Sequence, residues 1–238
     1  MLVGYFKVKV DRGCGLPEVL GGRIETTEDI GESIMDDDWL MVEPFVPTNP
    51  RIDITPEELL RRYAAGERDF ERVKIYSPIG GRVTNPLVNA NLSGVNLRFA
   101  KFSDPYMMGC NLSRADLTGA KLSACLEGAN LSYSNLTGAD LYRTILHDAD
   151  LSYANLTGAE MYNDLRKTNL TGAILRNTNL EEVLFQYTNL TGADLTGAIF
   201  GNGTLLHTNL TDAITEGVDW SGVRFDHTLM PDGSIRIQ

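Results

Sequence analysis

The residues of this 238-residue chain best suited to chemistry near neutral pH are its three histidines, His147, His207 and His227. An imidazole can carry a proton or ligate a metal. None of the three lies in a His-Glu-x-x-His motif. His207 and His227 are twenty residues apart, and a chain that returned on itself at that interval would bring them within metal-bridging distance. Two histidines without a third ligand do not make a zinc site, so no metal is assigned. The cysteines Cys14, Cys110 and Cys125 are odd in number and show no Cys-x-x-Cys spacing, which suggests neither a disulfide framework nor a thiolate metal site. There is no glycine-rich loop ending in Gly-Lys, and no pair of carboxylates can be placed together for acid–base work. These observations predict a protein that is not an enzyme and carries no cofactor.

What positions these residues is a repeat. From Ala90 the chain cycles through Asn-Leu-Ser-Gly, Asp-Leu-Thr-Gly and Asn-Leu-Thr-Gly. A large apolar residue recurs at every fifth position: Leu87, Leu92, Leu97, Phe102, Met107, Leu112, Leu117 and Leu122. The series resumes at Leu126 and runs to Met161, then resumes at Leu165 and runs to Met230, with Thr215 among its centres. A small residue often stands two places before a centre, as at Ala90, Ala115, Ala129, Ala139, Ala154 and Ala193. A period of five fits neither an α-helix nor a single strand.

The pattern Ala-Asp/Asn-Leu-Ser/Thr-Gly, sustained from about Asn85 to Met230, resembles the pentapeptide-repeat family. The resemblance implies an all-β solenoid, a right-handed quadrilateral β-helix in which each unit makes one side and four units make one coil. The central residue and the small one two before it would then face inward, and the others outward. About seven coils stacked ~4.8 Å apart give a rod on the order of 34 Å. Each coil buries its centres only against its neighbours. On this reading the repeated Asn-Leu-Ser/Thr tripeptides are corner chemistry rather than glycosylation sites. Asn91, Asn111, Asn130, Asn169, Asn189 and Asn209 would stack as an amide ladder. Thr168, Thr188, Thr208 and Thr228, which take the small inward position, would stack as a hydroxyl ladder satisfied within the stack.

The spacing shortens to four residues twice, between Leu122 and Leu126 and between Met161 and Leu165. Eight units, two full coils, separate the two, so both enter the same side. That side carries Met107, Leu126, Leu146, Leu165, Phe185, Leu205 and Phe225, and its units depart furthest from the repeat. Its outward positions hold Tyr106, Met108, Ile145, His147, Lys167, Leu184, Tyr187, Leu206, His207 and His227, including every histidine in the chain. Apolar and aromatic groups mixed with ionisable ones on a flat wall suit a protein interaction surface. The alternatives are cover by the N-terminal segment or relaxed packing.

A β-helix exposes core and strand edges at both ends, which caps must close. Thr55-Pro56-Glu57-Glu58 opens a helix, with Thr as N-cap and Pro at the first helical position, and Gly66 ends it. Leu59, Leu60 and Tyr63 would share one face and plug the N-terminal end, and Phe70 and Ile75 would form an irregular first coil. Trp220, Phe225 and Met230 would plug the other end, where Pro231-Asp232-Gly233 turns the chain out. The capping helix and the Met-Pro-Asp-Gly-Ser ending resemble cyanobacterial members of the family, one of which regulates heterocyst differentiation. The chain differs from that member in about fifty additional N-terminal residues and an irregular stretch at 76–89.

The division expected is an extension (1–50), a capping helix with an irregular coil (51–84), and the repeat with its C-terminal cap (85–238). In the extension, residues 2–9 and 39–46 read as two strands, joined by an acidic loop with Glu25, Glu28, Asp29, Glu32, Asp36, Asp37 and Asp38. The net charge is −11, which argues against direct nucleic-acid binding. No apolar run approaches the roughly 18–20 residues that span a bilayer. The start does not read as a signal peptide, so a cytoplasmic protein, monomeric or dimerised end to end, is expected. The function expected is a non-enzymatic interaction scaffold or regulator with a protein partner. The alternative is a DNA-mimicking inhibitor of an enzyme such as gyrase, a role the resemblance also offers. Residues 85–238 carry sixteen acids and ten bases, a net of only −6.

Overall fold

The computed structural model describes residues 6–9, 39–42, 52–76, 86–161 and 164–237. The chain divides into two compact units, Met1–Pro50 and Arg51–Gln238. In the first, β1 (Phe6–Lys9) pairs antiparallel with β2 (Trp39–Val42), with Phe6 opposite Val42 and Lys9 opposite Trp39. The acidic loop, and any cover that residues 1–50 give the divergent side, lie outside the described residues.

The second unit is a four-sided β-solenoid, and its period follows from the residues. Leu92, Leu112, Leu131, Leu151, Leu170, Leu190 and Leu210 form one fully buried inner column. Immediately before each stands an outward residue that bridges in parallel to its counterpart one coil on. This column runs Asn91, Asn111, Asn130, Asp150, Asn169, Asn189, Asn209, Leu229. The step is twenty residues, four sides of five, and falls to nineteen between Asn111 and Asn130 and between Asp150 and Asn169. These two are the coils that contain the shortened repeats.

The regular corners are β-turns. The amide of Ala129 donates to the carbonyl of Leu126 at 3.0 Å, and that of Ala139 to Leu136 at 3.0 Å. The residue two after the centre takes φ near +60°, as at Gly138 (φ 62°) and Gly172 (φ 63°), a conformation glycine enters without steric cost. The Asn or Asp before the centre closes the corner from outside. Asn130 Oδ1 accepts from the amide of Ser132 at 2.9 Å and from its hydroxyl at 2.7 Å. Asn135 with Thr137, Asn155 with Thr157 and Asn209 with Thr211 repeat the arrangement. The Asn-Leu-Ser/Thr tripeptide is therefore an Asx-turn unit. Direct amide contacts along the column occur at Asn111 to Asn91 (3.1 Å) and Asn169 to Asp150 (2.9 Å), so turn closure, more than a continuous ladder, is what these asparagines do.

The buried threonines are satisfied within the stack, and their acceptors are backbone carbonyls. Thr168 donates its hydroxyl to the carbonyl of Leu146 at 2.9 Å, Thr188 to Leu165 at 2.6 Å, Thr208 to Phe185 at 3.0 Å and Thr228 to Leu205 at 2.8 Å. Each hydroxyl reaches the coil before it and satisfies a backbone acceptor, instead of bonding the next hydroxyl.

There are about eight turns, the seven or so expected of the repeat and the irregular coil expected ahead of them. The column Asp69, Asn96, Asp116, Asn135, Asn155, Ile174, Asp194, Ile214 holds eight rungs. Upstream, β3 (Asp53–Ile54), helix α1 (Pro56–Ala64) and β4 (Lys74–Tyr76) make the irregular first coil. β3 and β4 continue in parallel into β5 (Lys101–Tyr106) and β6 (Lys121–Cys125). Thr55 caps α1, accepting from the amide of Glu58 at 3.3 Å. Leu59 is fully buried, and Leu60 and Tyr63 pack on the core. The Tyr63 hydroxyl donates to the Ser93 carbonyl at 2.9 Å.

β6 passes straight through the first shortened corner. Its partner β5 holds one residue more and absorbs the difference as a bulge between Ser103 and Tyr106. The second shortened step spans Tyr162 and Asn163, which are outside the described residues. On later coils the same side forms β7 (Leu184–Gln186), β8 (Thr204–Leu206) and β9 (Arg224–Asp226), a parallel sheet in register. At the C-terminal end Phe225 is buried and Trp220 and Met230 pack on the core. The Pro-Asp-Gly turn sends the chain back on itself: β10 (Thr228–Leu229) and β11 (Ile235–Arg236) pair antiparallel. The Arg236 guanidinium lies 4.2 Å above the Phe225 ring centre.

Candidate functional site

The divergent side differs from the others first in its backbone. Its turn residues with positive φ are glycine at Gly109 and Gly128, then Asp148 (φ 55°), Lys167 (φ 56°), Tyr187 (φ 55°), His207 (φ 49°) and His227 (φ 46°). A side chain in this region costs about 1–2 kcal/mol, less for Asp and Asn. Five consecutive coils accept that cost at one position.

The side chains so placed form a column. The Tyr187 and His207 rings stack at 5.0 Å with 6° between planes, and His207 and His227 stack at 5.1 Å with 16°. Coil spacing sets this distance, since identical positions on adjacent coils sit one strand separation apart. Behind the rings, the Lys167 ammonium is 4.0 Å from the Asp148 carboxylate. Tyr187 is 57% exposed, so one end of a flat aromatic stack is open to solvent.

A second row lies beside it. Asp164 accepts from Arg166 Nε at 2.7 Å and lies 2.9 Å from His147 Nε2. Asp226 Oδ1 is 2.5 Å from His227 Nδ1. Sequence reasoning passed over Asp164, Arg166 and Asp226, although the Asp-His pair at 226–227 and the Asp-Leu-Arg triplet at 164–166 were there to be read. A shallow groove of about 370 Å³, lined by Thr204, Leu206, Arg224, Phe225, Asp226 and Ile237, borders the C-terminal end of this side.

All ten residues expected to face outward here do belong to this side. Tyr106, Met108, Ile145, Lys167, Tyr187, His207 and His227 are exposed, and His147, Leu184 and Leu206 are half-buried. They spread over several coils, and ring contact joins only Tyr187, His207 and His227 among them. Exposed apolar groups are not confined to this side: Tyr133 and Tyr153 stack at 5.0 Å on the next one, and Ile199 and Ile214 stand exposed elsewhere. What sets the divergent side apart is the unbroken run of non-glycine turn residues and the imidazole–carboxylate contacts.

Charge and burial vary by side. Asp194, on a regular side, is nearly buried, and Arg176 Nε donates to it at 2.6 Å. Burial raises its pKa, but the Thr196 hydroxyl and amide and the Arg176 guanidinium outweigh that and hold the carboxyl below its ordinary value. Cys110 fills an inward small position, where burial pushes its thiol up to about 12. No helix among the described residues is long and apolar enough to cross a membrane.

The family model described as pentapeptide repeats matches residues 90–123, 124–161 and 164–202, in eight copies. No curated protein gives a match to the chain. Among solved structures, the chain is similar to HetL, a pentapeptide repeat protein involved in heterocyst differentiation regulation from the cyanobacterium Nostoc sp. strain PCC 7120. The identity is 26% over 77% of this chain and 100% of that one, with a TM-score of 0.29. It is 30% identical to a pentapeptide repeat protein from the Arabidopsis thaliana thylakoid lumen, over 41% of this chain and 73% of that one, with a TM-score of 0.28. A trypsin-treated variant of QnrB1, a plasmid-mediated fluoroquinolone resistance protein, is 19% identical over 74% of this chain and 90% of that one, with a TM-score of 0.42.

Proposed function

Because the chain belongs to the pentapeptide-repeat family, we propose that it is a non-enzymatic scaffold that holds a protein partner on the divergent side of its solenoid. The observation that carries this reading is the run Asp148, Lys167, Tyr187, His207, His227, five side chains in the left-handed region on consecutive coils. Glycine would relieve the backbone at each position, as it does at Gly109 and Gly128 on the same side. Backbone strain retained in a row, with its rings exposed, marks a surface kept for contact more than for stability. Tyr187 and Leu206 supply the apolar part of that surface, and Lys167, His207 and His227 its polar part.

The DNA-mimic reading needs rows of unneutralised acid. On this solenoid Asp116 pairs with Arg98, Asp140 with Lys121, Asp164 with Arg166 and Asp194 with Arg176. That pairing favours a mixed-charge protein contact.

Affinity capture from the native host with the full chain tests the proposal. Tyr187→Gly combined with Leu206→Gln removes the apolar anchors and relaxes the turn. Recovery of the partner should fall more than about tenfold, the scale of a hot-spot loss. Tyr133→Gly, on the neighbouring side, should leave recovery unchanged. Equal recovery with the Tyr187/Leu206 variant and the parent chain would overturn the assignment.

A further inference from the structure

We propose that His207, Asp226 and His227 form a binding site for a divalent transition-metal ion of the Zn²⁺ or Cu²⁺ type, bridging the last two coils. One ligand atom from each residue lies within 4.8 Å of the other two. Two imidazoles and a carboxylate are a donor set that suits zinc, copper and nickel and leaves further positions open for water.

Three features prepare the site. The backbone amide of His207 donates to the carbonyl of Asp226 at 2.7 Å, so the coils that carry the ligands are tied together beneath them. The Tyr187 ring packs against one face of His207 and the His227 ring against the other, which limits how the central imidazole can turn. The ligands are reachable: the side chains of His227 and Asp226 are 57% and 44% exposed. Donors around a tetrahedral Zn²⁺ sit about 3.3 Å apart for bonds of about 2.0–2.1 Å. Closing from 4.8 Å takes rotation of the exposed Asp226 and His227 side chains about the held His207 ring and leaves the coils in place.

The other imidazole–carboxylate pair on this side shows what the site needs. At His147 the Asp164 carboxylate is already held by Arg166 at 2.7 Å, and the Arg166 Nη2 stands 3.3 Å from His147 Nε2. A guanidinium in that place repels a cation. Among the described residues no lysine or arginine pairs with Asp226, whose contact is His227. The charge at the C-terminal pair is thus left for an ion, and the 2.5 Å Asp226–His227 contact already draws carboxylate and imidazole together.

The metal site does not depend on partner binding, and the purified chain suffices to test it. Chelator-stripped full-length protein is titrated with Zn²⁺ by calorimetry at neutral pH. One equivalent should bind. His207→Asn, His227→Asn and Asp226→Asn should each weaken binding at least about tenfold, the scale on which metal sites respond to loss of a supporting group. Asparagine suits the left-handed backbone at 207 and 227, so the fold should persist. His147→Asn should bind as the parent does. Spin resonance of the Cu²⁺ complex reads the ligands without any variant and should show coupling to two imidazole nitrogens. No stoichiometric binding, unchanged binding by the double variant His207→Asn/His227→Asn, or a Cu²⁺ spectrum without nitrogen coupling would each overturn the site.

Discussion

Two sides of one solenoid solve the same corner differently. On the side centred on Leu97, Leu117, Leu136, Leu156, Leu175 and Leu195, the left-handed turn position is mostly glycine, at Gly119, Gly138, Gly158 and Gly197, with Phe99 and Asn177 as the exceptions. On the side centred on Leu146, Leu165, Phe185, Leu205 and Phe225 it is Asp148, Lys167, Tyr187, His207 and His227. Inside, the two sides are alike, since every one of these centres is buried. Outside, one presents mostly glycine corners and the other a side chain at the corner of five consecutive coils. Repeat architecture separates the two demands: the inward positions hold the stack together, and the outward ones are available for other work.

The most damaging way to probe that equivalence is to cut the core on both sides. Leu156→Ala and Leu146→Ala should each destabilise the chain by about 2–5 kcal/mol, with closely similar values. Denaturant titration of both variants measures it. A much smaller loss at Leu146 would mean that the divergent side is relaxed inside as well as outside.

The corners should respond in opposite directions. At Gly119 an added Cβ meets left-handed backbone (φ 62°) and would lie 2.6 Å from the Phe99 ring. Gly119→Ala should therefore cost about 1–3 kcal/mol. Tyr187→Gly relieves about 1 kcal/mol of backbone cost and loses a stacking contact of about 0.5–1.5 kcal/mol. Its net effect on the thermal midpoint should be close to zero. A large destabilisation by Tyr187→Gly would identify the ring column as a structural device and weaken its reading as a contact surface.

The acids give the smallest and most selective effect. The Asp194 carboxyl is held below its ordinary value, so its contribution is complete above the unfolded pKa of about 3.9 and fades as pH falls through the lower folded value. Asp194→Asn should cost about 1 kcal/mol at neutral pH. The gap to the parent chain should narrow as the pH falls below about 4, as urea titrations at a series of pH values would show. A gap that stayed constant with pH would remove ionisation from the account of Asp194.

Much of this was legible in the residues. The five-residue spacing set the inward column, from Leu92 to Leu210, because a side five residues long returns each centre to the same face. The same count put Tyr187, His207 and His227 on one side, and the Thr55-Pro56 start marked the capping helix. The first coil lacks the Asn-Leu-Ser/Thr signature, since α1 fills the space between β3 and Asp69, and it was legible only through Phe70 and Ile75. The threonines were legible as inward and satisfied within the stack. Which acceptor each hydroxyl takes was not, because a hydroxyl chooses among neighbouring carbonyls by distances that no period encodes.

By itself the sequence determined the solenoid, its buried columns, its caps and the side on which the histidines emerge, since these depend only on repeat length and on polarity at each position. The tertiary structure decided which groups meet. Whether an imidazole finds a carboxylate claimed by arginine, as at Asp164, or one left to it, as at Asp226, depends on rotamers and on contacts between coils twenty residues apart. That is the difference between a side chain's direction, which the period fixes, and its reach, which only packed neighbours fix.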